Sequence, residues 1–230
     1  MLESLSAYWQ YLKYPRLLVL SKNKKMLWKD LLWLLVLDIA FATLIGVIYY
    51  SLLHFRLIRK YEEVDIFKYG FRLAMFLGVV FAPVAEEVLF RWQLRKPKWS
   101  ILFVLISIVV TAWTVVKNDY ALFFIGLGLL VIGLVAVMVI DKLDRLRKVK
   151  VFRTYYVFLF YYTAILFGYI HITNAKGLTL ADPSFIFYIG SQIFGGLSMG
   201  YLRVKYGLKY GILLHAAFNF IAVPIAWLLA

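Results

Sequence analysis

Seven long apolar stretches divide the chain, and basic residues collect between them. Each stretch approaches the roughly 20 residues that a membrane-spanning helix needs, and none shows the two-residue alternation of an outer-membrane β-barrel. Only helices satisfy all their backbone hydrogen bonds within one lipid-exposed segment. The pattern predicts an all-α, polytopic membrane bundle of about seven transmembrane helices, at residues 30–53, 69–92, 100–116, 120–140, 153–172, 184–202 and 209–229.

Residues 1–29 differ from these stretches, because aromatic and aliphatic residues alternate there with Lys, Arg, Ser and Gln. This mixture predicts an N-terminal amphipathic segment lying on the membrane surface, followed by a transmembrane domain at 30–230. The segment lacks the basic start and small-residue cleavage site of a signal peptide. We therefore expect it to remain on the mature protein.

Composition and charge support a membrane protein. Hydrophobic residues make up 64% of the chain, against roughly 45–50% in soluble domains. The net charge of +14 comes from Lys and Arg that lie mostly between spans, so we interpret it as a topology signal and expect no nucleic-acid partner. One side of the predicted bundle carries 18 basic residues and the other 6. This bias predicts a multi-pass cell-membrane protein with a cytoplasmic N-terminus and an extracytoplasmic C-terminus.

Ionisable side chains at membrane depth are rare and usually functional. The predicted spans contain Asp38, Arg72, Glu86, Glu87, Arg91, His171 and His215, with Gln192 and Asn219 as uncharged companions. Helical neighbours point about 100° apart, whereas residues four apart share a face. We therefore expect Arg91 to neutralise Glu87 and leave Glu86 as a general base. The alternative is that both carboxylates are structural.

Two histidines have suitable companions. In "HAAFN", His215 and Asn219 share a helical face, and two donors aimed at one developing negative charge are what an oxyanion hole requires. In "FGYIH", Phe167 lies one turn from His171 and gives the imidazole an apolar floor. Each histidine alone has an alternative interpretation as a hydrogen-bonded interior residue. Together with Glu86 they supply the parts for adding water to a carbonyl.

The segments "EEVLFR", "FGYIH" and "HAAFN" occur in this order in separate apolar stretches. They resemble the motifs E-E-x-x-x-R, F-x-x-x-H and H-x-x-x-N of the CAAX protease and bacteriocin-processing (CPBP, or Abi) family of intramembrane proteases. The resemblance implies an endopeptidase that acts in the bilayer on a lipidated or hydrophobic peptide or protein. It implies that Glu86 and His171 activate water and that His215 and Asn219 stabilise the oxyanion, with Glu87, Arg91 and Phe167 in support.

Two questions stay open in the sequence. The first is the metal: we favour a mechanism without a cofactor, since the chain lacks H-E-x-x-H, but Glu86, His171 and His215 are a possible three-ligand zinc site. The second is the activity, because an immunity or scaffold protein with this fold, or a proton-coupled transporter, is an alternative to a protease.

The sequence also departs from the family pattern. Trp92 stands where many members have glycine, and about 80 residues separate the first two motifs. At 1.5 Å per residue, His171 would lie about 27 Å beyond Arg153, near the outer membrane face. We therefore expect the segment "TNAKGLTLADPS" to fold back into the protein. Asp38 either orients a motif histidine or is a buried, hydrogen-bonded aspartate.

Overall fold

The computed structural model describes residues 2–115 and 120–229, and the described chain is almost entirely helical. The α-helices are α1 (Leu2–Lys13), α2 (Lys24–His54), α3 (Phe71–Phe76), α4 (Ala82–Arg91), α5 (Pro97–Val115), α6 (Tyr120–Lys142), α7 (Arg145–Ile170), α8 (Phe185–Lys205) and α9 (Leu208–Leu229). The predicted all-α class is therefore confirmed.

The predicted number of seven spans is not confirmed. Within the described residues, five segments are long and apolar enough to cross a membrane: Lys24–His54, Phe71–Arg95, Leu146–Asn174, Phe185–Lys205 and Leu208–Leu229. The stretches predicted at 100–116 and 120–140 form α5 and α6, and most side chains from residue 111 to 130 lie outside the described part of the chain. Residue 116, the predicted end of one span, and the loop basic residue Lys117 lie outside the described residues.

The N-terminal segment contains one amphipathic helix and then leads into the first span. Helix α1 buries Ser4, Tyr8 and Tyr11 against the protein, while Trp9 remains exposed. Helix α2 begins at Lys24, within the segment predicted to be interfacial, because the side chain of Asn23 accepts a hydrogen bond from the Met26 amide at 3.0 Å. Asparagine is a preferred residue at this capping position.

The second span is a broken helix. A π-helical turn, Leu77–Phe81, separates α3 from α4, and a 3₁₀ turn at Trp92–Arg95 follows α4. The amide of Ala82 donates to the Leu77 carbonyl five residues back, and the next residue, Pro83, has no N–H to donate. The carbonyl of Gly78 consequently accepts a hydrogen bond from elsewhere, the Nδ2 of Asn219 at 2.6 Å.

The chain divides into two compact units, residues 1–91 with 160–230, and residues 92–159. In the first unit, α8 packs against α2 and α9, and α4 packs against α9. In the second unit, α5 and α6 pack closely, since a Cβ at Gly133 would lie 2.0 Å from Leu105 Cδ1. All of the residues that carry the motifs belong to the first unit.

Three residues of the connection after His171 pack into the first unit, although most of the segment predicted to fold back is exposed. Ile172, Ala175 and Leu178 are buried in one apolar cluster with Ile189. Partly buried aromatic and aliphatic side chains pack against this cluster: Tyr61, Tyr169, Phe185, Tyr188 and Ile193. The loop that precedes α3 is paired with this connection, because Glu62 forms an ion pair with Lys176. In the 3₁₀ turn His171–Asn174, Ile172 is buried and His171 is half-buried, whereas Thr173 and Asn174 are exposed.

Candidate active site

A cavity of about 310 Å³ lies within the first unit, and the motif side chains form part of its wall. Glu86 of α4, Phe167 at the end of α7, His171 of the following turn, and His215 and Asn219 of α9 all line it. The structure thus places the four residues predicted for catalysis around one space. Arg72, another ionisable residue of the predicted spans, is exposed near the start of α3.

The two adjacent carboxylates of α4 occupy different environments. The side chain of Glu86 is 27% exposed and lines the cavity, whereas that of Glu87 is 0% exposed. The expected ion pair is present, with Arg91 Nη1 3.0 Å from Glu87 Oε1. Because neighbouring helical residues point about 100° apart, the ion pair faces the interior while Glu86 faces the cavity.

Small residues let neighbouring helices close around this ion pair. A Cβ at Gly196 of α8 would lie 3.1 Å from Arg91 Nη2 and 3.3 Å from the Ala164 backbone. A Cβ at Gly211 of α9 would lie 3.0 Å from Glu87 Oε2. Side chains larger than hydrogen would therefore push the helices away from the two charges.

His215 lies between the two carboxylates, which the sequence did not predict. Its Nε2 is 3.8 Å from Glu86 Oε2, and its Nδ1 is 3.3 Å from Glu87 Oε1. The imidazole on α9 therefore connects the buried ion pair with the cavity. No local spacing could have revealed this contact, since it depends on how α9 packs against α4.

His171 is oriented by the end of α7. Its Nδ1 lies 2.6 Å from the Phe167 carbonyl oxygen. A carbonyl can only accept, so Nδ1 carries the proton and the Nε2 of the neutral ring is an acceptor. The Phe167 ring lies edge-on to both imidazoles, with centroids 4.7 Å from His171 and 5.8 Å from His215. The Phe167 ring therefore makes the expected apolar contact with His171 and makes a second one with His215.

Phe167 also contacts the buried ion pair. The guanidinium carbon of Arg91 lies 4.0 Å from the centre of its ring, within the range of a cation–π interaction. One ring thus supports His171, His215 and Arg91 together. The sequence pattern assigned it to His171 alone.

Asn219 has a structural contact as well as a place in the cavity. Its Nδ2 donates to the Gly78 carbonyl in the π-helical turn. A side-chain amide carries two N–H donors, so a second hydrogen remains after this bond. The sequence paired Asn219 with His215, and the bond to Gly78 follows from the helix packing around Pro83.

Asp38 of α2 also lines the cavity. It is 5% exposed, and its Oδ1 accepts a hydrogen bond from Ser198 Oγ at 2.7 Å. This contact matches the interpretation of Asp38 as a buried, hydrogen-bonded aspartate. Ser198 lies on α8 and carried no signal in the sequence.

The possible zinc ligands are not arranged as a metal site. Across residues 2–115 and 120–229, no group of three His, Asp or Glu side chains has a geometry that could hold a metal ion. Glu86, His171 and His215 share the cavity wall without converging in this way. The residues present therefore do not fit a three-ligand zinc centre in this structure, and the cofactor-free mechanism stays a prediction.

Comparison with known families found one match. A family model described as "Type II CAAX prenyl endopeptidase Rce1-like" matches residues 68–221, more than half of the chain. This range begins just before α3 and includes all three motifs. Comparison with curated proteins and with solved structures gave no match.

Proposed function

Because the chain belongs to the Rce1-like family of type II CAAX prenyl endopeptidases, we propose that it is an intramembrane endopeptidase for lipidated or hydrophobic peptides. The family is a protease family, and five apolar segments of the described residues are long enough to cross a membrane, as in a multi-pass membrane protein. The observation that carries the finer proposal is Glu86, a carboxylate at membrane depth that lines a cavity with two histidines. Ionisable side chains within membrane spans cost free energy, and those that occur there are usually functional.

In the proposed reaction, Glu86 removes a proton from water as the water oxygen attacks the scissile carbonyl carbon. His171 assists, because its Nδ1 proton is directed at the Phe167 carbonyl and its Nε2 can accept a hydrogen bond from the same water. The carbon–nitrogen bond then breaks. The proton taken by Glu86 passes to the leaving nitrogen, so that the products are a carboxylic acid and an amine.

The oxyanion that forms in the attack requires donors. Asn219 supplies the N–H that remains after its bond to Gly78. The Nδ1 of His215 lies 3.3 Å from Glu87 Oε1 without hydrogen-bond geometry, so a ring that carries its proton on Nε2 can donate to the oxyanion. Glu87 and Arg91 act through His215 and are positioning residues. Removing one such donor typically reduces kcat about 10²–10³-fold.

Replacement of Glu86 tests the proposal. We expect Glu86→Gln to lower the cleavage rate of an internally quenched peptide with a farnesylated CAAX C-terminus by about 10²–10⁴-fold. Glu62→Gln is the matched control, since Glu62 is exposed and pairs with Lys176 away from the cavity. Unchanged cleavage by Glu86→Gln, at a wild-type melting temperature in detergent, would contradict the assignment. A cellular phenotype that survived Glu86→Gln would instead favour an immunity or scaffold function.

Chelation tests the cofactor. We expect dialysis of the purified protein against a chelator to leave the cleavage rate unchanged, because no step of the proposed mechanism needs a metal. The zinc content of the purified protein is measured in parallel. Loss of activity on chelation, with recovery on adding Zn²⁺, would replace this mechanism by a metal-dependent one.

A further inference from the structure

The cavity has polar side chains besides those of the three motifs. Asp38 of α2 and the neighbouring residues Ser191 and Gln192 of α8 all line it. Helices α2 and α8 pack against each other, so these residues form one wall, which we call the α2–α8 wall. The proposed mechanism uses none of them.

A chain of hydrogen bonds holds the Asp38 carboxylate in place. Ser198 Oγ donates its only proton to Asp38 Oδ1 at 2.7 Å. The 3.1 Å bond between Tyr8 and Ser198 must therefore have the tyrosine hydroxyl as its donor. The two oxygens of a carboxyl group offer several acceptor positions, so the bond from Ser198 leaves acceptor capacity on a side chain that lines the cavity.

Gln192 provides hydrogen-bond donors, whereas Asp38 provides acceptors. Its Oε1 accepts a hydrogen bond from Ser191 Oγ at 2.7 Å. That bond fixes the amide and leaves the two N–H donors of Nε2. The α2–α8 wall thus combines an acceptor on Asp38 with a donor on Gln192.

A peptide group carries one N–H donor and one C=O acceptor, so its partners must be one acceptor and one donor. When a peptide leaves water for an apolar site, each unpaired backbone N–H and C=O costs several kcal/mol. The acceptor and the donor in the cavity wall would also be left without partners if a substrate displaced water from the cavity and did not pair with them. The segment of substrate beside the scissile bond would meet both requirements.

We propose that the α2–α8 wall binds the substrate backbone, with Asp38 accepting from a peptide N–H and Gln192 donating to a peptide C=O. This inference rests on the proposed function, because it assumes that the cavity holds a peptide. Asp38 and Gln192 are binding residues in this scheme, and Ser198 and Tyr8 position the carboxylate. Helix α1 is thereby linked to substrate binding through Tyr8.

Conservative substitutions separate binding from structure. Asp38→Asn keeps an oxygen for Ser198 but replaces the other oxygen with a donor, and Gln192→Glu keeps the oxygen for Ser191 but removes the donor. With the farnesylated peptide as probe, we expect each variant to raise KM about tenfold, which corresponds to about 1.4 kcal/mol, while kcat stays near wild type. A rise in KM with unchanged kcat indicates that the substrate and the transition state have lost the same binding energy.

Asp30 provides the matched control. It is a buried aspartate on the same helix α2, and it binds Lys205 at 2.7 Å and Tyr206 at 2.8 Å. We expect Asp30→Asn to lower the melting temperature in detergent without raising KM. If Asp38→Asn behaves like Asp30→Asn, Asp38 is structural and the inference is wrong.

Binding measured without cleavage keeps the two proposals distinguishable. In a Glu86→Gln background, the fluorescence anisotropy of a labelled farnesylated peptide gives Kd, and we expect Asp38→Asn or Gln192→Glu to raise it about tenfold. An unchanged Kd in both variants overturns the inference. If the wild type binds the probe but does not cleave it, the proposed function fails while the Kd comparison still decides the inference. Should Asp38→Asn not fold, Gln192→Glu alone decides it.

Discussion

Glu86 and Glu87 are adjacent carboxylates on one helix, yet they belong to two different regions of the molecule. Glu87 is fully buried and lies 3.0 Å from Arg91, in a region closed by glycines. Glu86 is partly exposed in the cavity, and its neighbour is His215 at 3.8 Å. The difference arises from a rotation of about 100° between successive residues of a helix. Identical side chains can therefore occupy a buried ion pair and a cavity wall within one helical turn.

The comparison predicts opposite phenotypes for two identical substitutions. Glu87→Gln leaves Arg91 buried without its counter-charge, which typically costs about 3–5 kcal/mol. Glu86→Gln should change the free energy of unfolding by less than about 0.5 kcal/mol, although it abolishes the proposed activity. Unfolding in detergent micelles, followed by circular dichroism, measures both. Equal destabilisation by the two variants would show that the two regions do not differ as described.

The closed region can also be tested through its glycines. Gly196→Ala places a Cβ 3.1 Å from Arg91 Nη2 and 3.3 Å from backbone atoms of Ala164, and overpacking of this kind costs about 1–3 kcal/mol. Gly190→Ala is the matched control on the same helix, since its Cβ meets only Ile45 Cδ1 at 3.9 Å. We expect a lower melting temperature for the first variant alone. Similar melting temperatures would mean that α8 can move away from Arg91 without cost.

Phe167 joins the two regions, so its replacement should affect both to a smaller extent. Phe167→Leu removes the ring that lies 4.0 Å from the Arg91 guanidinium, a contact worth about 0.5–2 kcal/mol. It also removes the edge contacts to His171 and His215. We expect a modest loss of stability together with a lower kcat. A variant with wild-type values of both would assign the ring to packing alone.

A third carboxylate, Asp182, lies in the connection after His171 and extends the comparison to a solvated site. Hydrogen bonds from Ser184 and Tyr61 lower the pKa of Asp182 from its usual 3.8 to about 2. A lowered pKa in the folded state means that these bonds contribute stability above pH 3.8 and lose it as the pH falls toward 2.

The expected effect near neutral pH is therefore the smallest of the set. After correction for the intrinsic rate, the protection of residues 171–184 against hydrogen exchange should be constant from about pH 5 to 8. It should decrease once the pH is lower than the usual pKa of a carboxyl group. Asp182→Asn should remove this acid dependence. Persistence of the dependence in that variant would assign it to another carboxylate.

Local periodicity was sufficient to predict part of the structure. The helical class and the ion pair between Glu87 and Arg91 follow from spacing along a single helix, and both are present. The three motifs also placed Glu86, His171 and His215 together, because their order and residue types resemble a known family. The roles of these residues in catalysis stay predictions.

Contacts between distant helices could not be predicted in this way. Nothing near His215 indicates that it lies between two carboxylates of α4. The bonds among Tyr8, Ser198 and Asp38 join residues 160 and 190 positions apart. The number of spans could not be predicted from periodicity either, because apolar length alone does not determine whether a helix crosses a membrane.

The π-helical turn at Leu77–Phe81 links Pro83 of α4 to Asn219 of α9, which is distant from it in the sequence. Pro83 withholds a hydrogen-bond donor from the carbonyl of Gly78, and that carbonyl holds one N–H of Asn219. An alanine at position 83 would restore a competing donor to the helix and release the amide. Asn219 would then be able to rotate, so the aim of the proposed oxyanion donor is set by a hydrogen atom that a proline lacks.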